Sequence, residues 1–161
     1  MLWYKINIEL WIIDVKEWGS SMFEWKENYS CNIKQIDDEH KRLFEIGRSI
    51  YKLAVDENHI DYYDNILDLL DELKDYTAYH FSDEEKVMKL YDYPGLDDQK
   101  HIHAKFIEKL ENIDLNSVDE NQQKAILNLL DFVSSWISSH ILGSDLKIKD
   151  YFESLKLTNK D

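Results

Sequence analysis

From Asp37 onward, apolar residues recur at the i, i+3, i+4, i+7 spacing that gathers them on one face of an α-helix. His40, Leu43, Phe44, Gly47, Ile50, Tyr51 and Ala54 form the first stripe. Asp37 or Asp38 is placed to cap its start, and Asp56-Glu57-Asn58-His59 reads as the connection after it. A second stripe, Ile66, Leu69, Leu70, Leu73, Thr77, His80, Glu84, Val87 and Met88, predicts a helix from about Asp61 to Leu90, broken by Tyr93-Pro94-Gly95. Gln99, His103, Phe106, Ile107 and Leu110 predict a third, from about Leu96 to Ile113, with a polar loop beginning at Asn116-Ser117. The fourth, from about Asp119 to Ile141, turns Ile126, Leu129, Leu130, Val133, Ile137 and His140 inward, and Gly143 is its expected stop. A short amphipathic segment, Leu146 to Leu155, follows. Four helices with short connections predict an all-α fold: an up-down-up-down four-helix bundle with an N-terminal arm and a short C-terminal helix.

Composition agrees with this pattern. Proline occurs once and glycine four times, which favours long uninterrupted helices. A chain of 161 residues is long enough for one domain with a proper core. The net charge of −14 argues against nucleic acid, whose phosphates need a basic surface, and against an anionic membrane. No apolar run in the sequence reads as a bilayer span; Leu10-Trp11-Ile12-Ile13 is short and flanked by Glu9 and Asp14. Cys31 is the only cysteine, so no internal disulfide forms and a reducing cytoplasm is the expected location. Cys31 itself reads as a small, semi-buried packing residue outside the chemistry.

Residues 1–21 differ from the rest: they hold Trp3, Trp11 and Trp18, no histidine, and no sustained helical period. Lys16-Glu17 back-translates to a purine-rich run like a bacterial ribosome-binding site, a short distance before Met22. The expectation is that 1–21 is an over-called extension, 22–155 the folded domain and 156–161 a tail.

The chemistry lies where the stripes should be oily. His40, His80, Glu84, His103 and His140 occupy inward positions, and Asp145 follows the last of them. Buried imidazoles and carboxylates are costly unless paired or metal-bound. His80 and Glu84, four apart, project from one helix face. A lone His-x-x-x-Glu is weak evidence, and a single histidine in an apolar stripe is more often a satisfied core residue. Four histidines on four facing stripes, with carboxylates among them, form a convergent donor set. Imidazole and carboxylate without thiolate suit iron, manganese or zinc, and two carboxylates among imidazoles describe a dinuclear site. A ferritin-like site needs paired Glu-x-x-His motifs, which the sequence lacks. No phosphate loop or nucleophile–base pair suggests another enzyme class.

Several elements in order across 22–152 resemble the hemerythrin family, in its bacterial branch. They are Phe23-Glu24-Trp25, Ile36-Asp37-Asp38-Glu39-His40, His80-Phe81-Ser82-Asp83-Glu84-Glu85, Tyr93-Pro94, His103-Ala104-Lys105-Phe106 and Trp136-Ile137-Ser138-Ser139-His140 with Asp145. The resemblance implies a bundle holding two non-heme iron ions, oxo- or hydroxo-bridged, that bind dioxygen reversibly. It assigns His40 and His80 to one iron, His103 and His140 to the other, Glu84 and Asp145 as bridges, and Ile137 to the oxygen pocket. It implies oxygen carriage, storage or sensing without catalysis, by a monomer or weak homo-oligomer. The alternatives are a di-iron enzyme acting on oxygen, peroxide or nitric oxide, and a metal-handling or structural bundle.

The chain departs from the family at one position. The third helix usually carries two histidines four apart, and here Gln99 stands four before His103. Gln99 coordinates through its amide oxygen, or a water completes that iron, or a distortion brings His101 inward. The last would misplace His103, so the first two are preferred. Either one leaves a weaker site with an open position, expected to autoxidise faster or hold less iron. His59, in a polar loop, reads as solvated.

Overall fold

The structure is a computed structural model that describes residues 21–56 and 61–158. Residues 1–20 of the expected N-terminal extension, and His59, lie outside the described residues. Six α-helices appear among them: α1 (Lys34–Ala54), α2 (Tyr63–Leu90), α3 (Leu96–Glu111), a short α4 (Leu115–Glu120), α5 (Gln122–His140) and α6 (Leu146–Thr158). A 3-10 turn, Glu27–Tyr29, precedes α1. Helix α1 packs on α2 and α5, and α2 packs on α3, so the four long helices run up and down around one core.

The inward stripes agree closely with the sequence pattern. Ile36, Leu43, Phe44, Ile50 and Ala54 of α1 are buried, as are Ile66, Leu70, Leu73 and Met88 of α2, Phe106 and Leu110 of α3, and Ile126, Leu130, Val133 and Ile137 of α5. Tyr51, Leu69, Val87 and Ile107 sit only half-buried at the edges of their stripes. One contact needs a glycine. The Phe23 ring packs against α1 at Gly47, where a Cβ would meet ring atoms 2.2 to 2.9 Å away. This locks the segment before α1 onto the bundle, and Arg48 reinforces it by donating to the Phe23 carbonyl at 2.9 Å.

Four expectations about element ends are corrected. Helix α1 begins at Lys34 rather than Asp37, with no side-chain cap. Asp37 sits in the first turn and reaches backward, accepting from the Cys31 N–H at 2.7 Å and the Ser30 hydroxyl at 2.6 Å. Helix α2 stops because Asp92 turns left-handed (φ 51) and the Tyr93 N–H returns to the Met88 carbonyl, ahead of Pro94-Gly95. The expected polar loop at Asn116-Ser117 is the helix α4, capped by Asp114, and Asn121 then caps α5.

The last correction bears on the site. Gly143 does not stop the fourth helix: Ile141–Asp145 forms a π-helical turn, and the chain continues directly into α6. In a regular α-helix, residues five apart diverge by about 140°. The wider i→i+5 ring of a π turn brings the fifth residue back over the first, and such turns occur mostly at functional sites. Asp145 thus returns to the face that carries His140. Without a break at Gly143, Gln122–Leu155 is long and apolar enough by length and composition to cross a membrane, which the sequence reading missed. Much of its apolar surface, including Ile126, Leu130, Val133, Ile137, Ile141 and Ile148, is buried in the bundle, while Leu142 is exposed.

Candidate metal centre

At the end of the bundle where α1 begins and α5 ends, the core turns polar. His40, His80, Glu84, Gln99, His103, His140 and Asp145 are all buried, none more than 3% exposed. His40 comes from α1, His80 and Glu84 from α2, Gln99 and His103 from α3, His140 from α5, and Asp145 from the π turn.

Two donor triads share one residue. One atom each of His40, His80 and Glu84 lie within 4.8 Å of one another, and Glu84, His103 and His140 do the same. Asp145 completes the link, with Oδ2 at 3.4 Å from His40 Nε2 and Oδ1 at 3.2 Å from His140 Nε2. Glu84 Oε2 lies 3.2 Å from His103 Nε2. Each carboxylate therefore touches both triads, and the two oxygens of Asp145 diverge toward opposite sides.

This arrangement is poorly satisfied by protein alone. His40 Nε2, His80 Nε2, both Glu84 oxygens, Gln99 Oε1 and Asp145 Oδ2 are buried without a hydrogen-bond partner. Nε2 of His103 and of His140 face each other at 3.1 Å. A buried polar group left unpaired costs about 1–3 kcal/mol, so a cluster of this size in one core is strained unless a cation joins it. Titration behaviour follows from the same burial. Desolvation pushes the Asp145 carboxyl up to about 7 and raises Glu84, which also feels Asp145. Desolvation lowers His40 and His80 and pushes His140 down to about 2. At His103 burial acts downward, but Glu84 and Glu85 outweigh it and raise the imidazole. Bare imidazoles suit a cation directly, and a cation's charge would draw the carboxyls back to the ionised form.

A family model described as the hemerythrin HHE cation binding domain matches residues 31–152. A bacteriohemerythrin of Clostridium acetobutylicum is 41% identical over 129 residues, covering 80% of this chain and all of that protein. A hemerythrin subunit of Golfingia vulgaris is 32% identical over 127 residues (79% of this chain, 90% of that one), and a myohemerythrin of Theromyzon tessulatum is 29% identical over 127 (79% and 91%). The chain belongs to the hemerythrin family.

Three features of this hemerythrin centre were not read from sequence. Glu39, only 5% exposed, sits behind His80, with Oε2 2.9 Å from Nδ1. Glu85 sits behind His103 at 2.8 Å. In each case the residue beside one donor (Glu39 beside His40, Glu85 beside Glu84) serves the imidazole of the next helix, because neighbours in sequence point about 100° apart. That adjacency was the available signal. Third, Cys31 is fully buried and not semi-buried, and its Sγ, an Asp37 oxygen and a His40 nitrogen lie within 4.8 Å of one another. Burial pushes its thiol pKa far up, and Asp145 and Glu84 add to this, so the thiol stays neutral.

The departure at Gln99 is also placed. Its side chain points into the centre, where Nε2 donates to Asp145 Oδ1 at 3.1 Å. His101 is exposed on the outer face of α3. Ile137 is buried one turn before His140 on the same helix.

Proposed function

We propose that this hemerythrin is a non-heme di-iron protein that binds dioxygen reversibly to carry, store or sense it, and that it does not catalyse a reaction on it. The observation that carries the reading is the pair of buried triads sharing Glu84 and joined by Asp145, with several donor atoms lacking any protein partner. His40 and His80 would hold one iron, His103 and His140 the other, and Glu84 and Asp145 would span both. A bound iron pair supplies electrons that dioxygen draws on as it binds and gives back as it leaves.

The protein's own part is positioning and exclusion. Glu39 and Glu85 fix the ring orientation of His80 and His103 and make both imidazoles stronger donors. Ile137 and Ile141 present buried apolar surface beside His140, which keeps water and protons from the oxygen pocket. The folded unit is 22–155, since Phe23 and Trp25 already pack on α1. The neutral, unpaired Cys31 thiol suits a reducing cytoplasm.

A second reading rests on Gln99. With Nε2 turned to Asp145, its Oε1 is the donor left for the iron shared with His103 and His140. A weak amide oxygen or a water there leaves a position open to peroxide or nitric oxide, which favours redox turnover. Anaerobic iron loading followed by oxygen separates the readings. A visible band that appears with oxygen and disappears when it is removed supports carriage; sustained consumption of peroxide or nitric oxide with a reductant supports the enzyme.

A further inference from the structure

The imidazoles of the centre differ in what stands on their far side. Glu39 backs His80, Glu85 backs His103, and Cys31 with Asp37 lies beside His40. Neither His40 nor His140 has a hydrogen-bond partner at Nδ1, and what sets His140 apart is the ring beside it. The His140 imidazole stacks on the indole of Trp136, with centroids 4.2 Å apart and planes 18° from parallel.

The same indole reaches the other imidazole of that triad. Phe81 lies flat on His103 at 3.9 Å and 3°, and Phe81 meets Trp136 at 5.4 Å. Both histidines assigned to the Gln99-side iron thus converge on one aromatic ring, one directly and one through Phe81. Phe81 is buried, whereas Trp136 is half-buried and forms part of an open surface depression with Lys109, Phe132 and Ser139. On this side a single indole separates an imidazole of the centre from solvent.

Packing alone does not call for this geometry. A buried aliphatic side chain would fill the same volume, and stacking adds only about 0.5–1.5 kcal/mol. Overlapping π systems do something an aliphatic group cannot: they couple electronically, so an electron tunnels through them far more readily than across saturated carbon or a gap.

We propose that Trp136 is the electron path between the iron pair and a one-electron reductant arriving at this depression, an inference that rests on the di-iron reading above. Its role is to restore iron that has been oxidised and can no longer bind dioxygen, a need made greater by the departure at Gln99. In each event the reductant loses one electron and one ferric ion becomes ferrous. A second encounter reduces the other ion. The indole carries the coupling and is itself neither oxidised nor reduced. The net charge of −14 favours a cationic reductant on electrostatic grounds.

The test is anaerobic stopped-flow reduction of the oxidised, iron-loaded protein by the methyl viologen radical cation, with the visible spectrum and midpoint potential measured alongside. Trp136→Leu is expected to slow reduction by an order of magnitude or more with spectrum and potential unchanged. Trp136→Phe, which keeps a ring against His140, is expected to stay within severalfold of the parent and guards against a folding defect. Equal rates in all three proteins would overturn the path. So would a slow Trp136→Leu whose spectrum or potential moves with the rate, since that indicates displaced ligands. A parent protein that takes up no iron removes the di-iron reading and the path together, whereas a normal iron spectrum with unchanged rates removes the path alone.

Discussion

Gln99 donates its side-chain amide to Asp145 across 3.1 Å, at the position where the family resemblance implies a second histidine on this helix. The amide thereby holds the carboxylate that touches both triads, and its remaining oxygen is a much poorer donor than imidazole. Gln99→His is expected to retain more iron under chelator challenge and to lengthen the life of the oxygen-dependent visible band in air. If iron content and band lifetime both stay the same, Gln99 does not weaken the centre.

Glu39 and Glu85 each charge-assist one imidazole, on opposite sides of the centre. Removing such a partner typically lowers metal affinity about 10–100-fold. Glu39→Gln and Glu85→Gln should each show a loss of this order in competition with a chromophoric chelator, while the exposed Glu45→Gln should show none. Affinity equal to the parent in both variants would reduce these contacts to packing.

Metal uptake should release protons in a pH-dependent way. Burial pushes the Asp145 carboxyl up to about 7, above its ordinary value of 3.8, so below neutrality the metal-free protein holds a proton there that a bound cation must displace. Loading at about pH 6 should therefore release more protons than loading at about pH 8, and affinity should fall as pH drops through about 7. The raised His103 acts in the same direction. Calorimetry in buffers of differing ionisation enthalpy measures this directly; proton release identical at both pH values contradicts it.

Gly47 should tolerate no side chain. A methyl group there would overlap the Phe23 ring, and forcing extra volume into a packed contact costs about 1–3 kcal/mol. Chemical denaturation of Gly47→Ala should show a loss of this size, and pairing it with Phe23→Leu should return part of it. Unchanged stability in Gly47→Ala would mean that the Phe23 segment does not dock as described.

The sequence displayed most of the centre because the fold is a bundle with simple 3.6-residue periodicity: a histidine on an oily stripe stands out without coordinates. His40, His80, Glu84, His103 and His140 were visible on that ground. Asp145 was seen as a residue beyond a helix end, since nothing in Ile141-Leu142-Gly143-Ser144 announces a π turn, and Gly143 looks like a stop. Glu39 and Glu85 were hidden because they lie off their own helix's stripe and act on a neighbour, a relationship that one-helix periodicity cannot register. Cys31 is more deeply buried than its place ahead of α1 suggests, because Asp37 reaches back to its N–H and its Sγ lies within 4.8 Å of a His40 nitrogen.

Iron quantitation combined with the optical spectrum, taken on anaerobically loaded protein before and after oxygen, tests the central claim most directly. The expected result is about two irons per chain, as two donor triads sharing a carboxylate would hold, with a visible band that forms on adding oxygen and is lost on removing it. Protein that remains colourless and iron-free after loading, with its buried imidazoles and carboxylates intact, would contradict it.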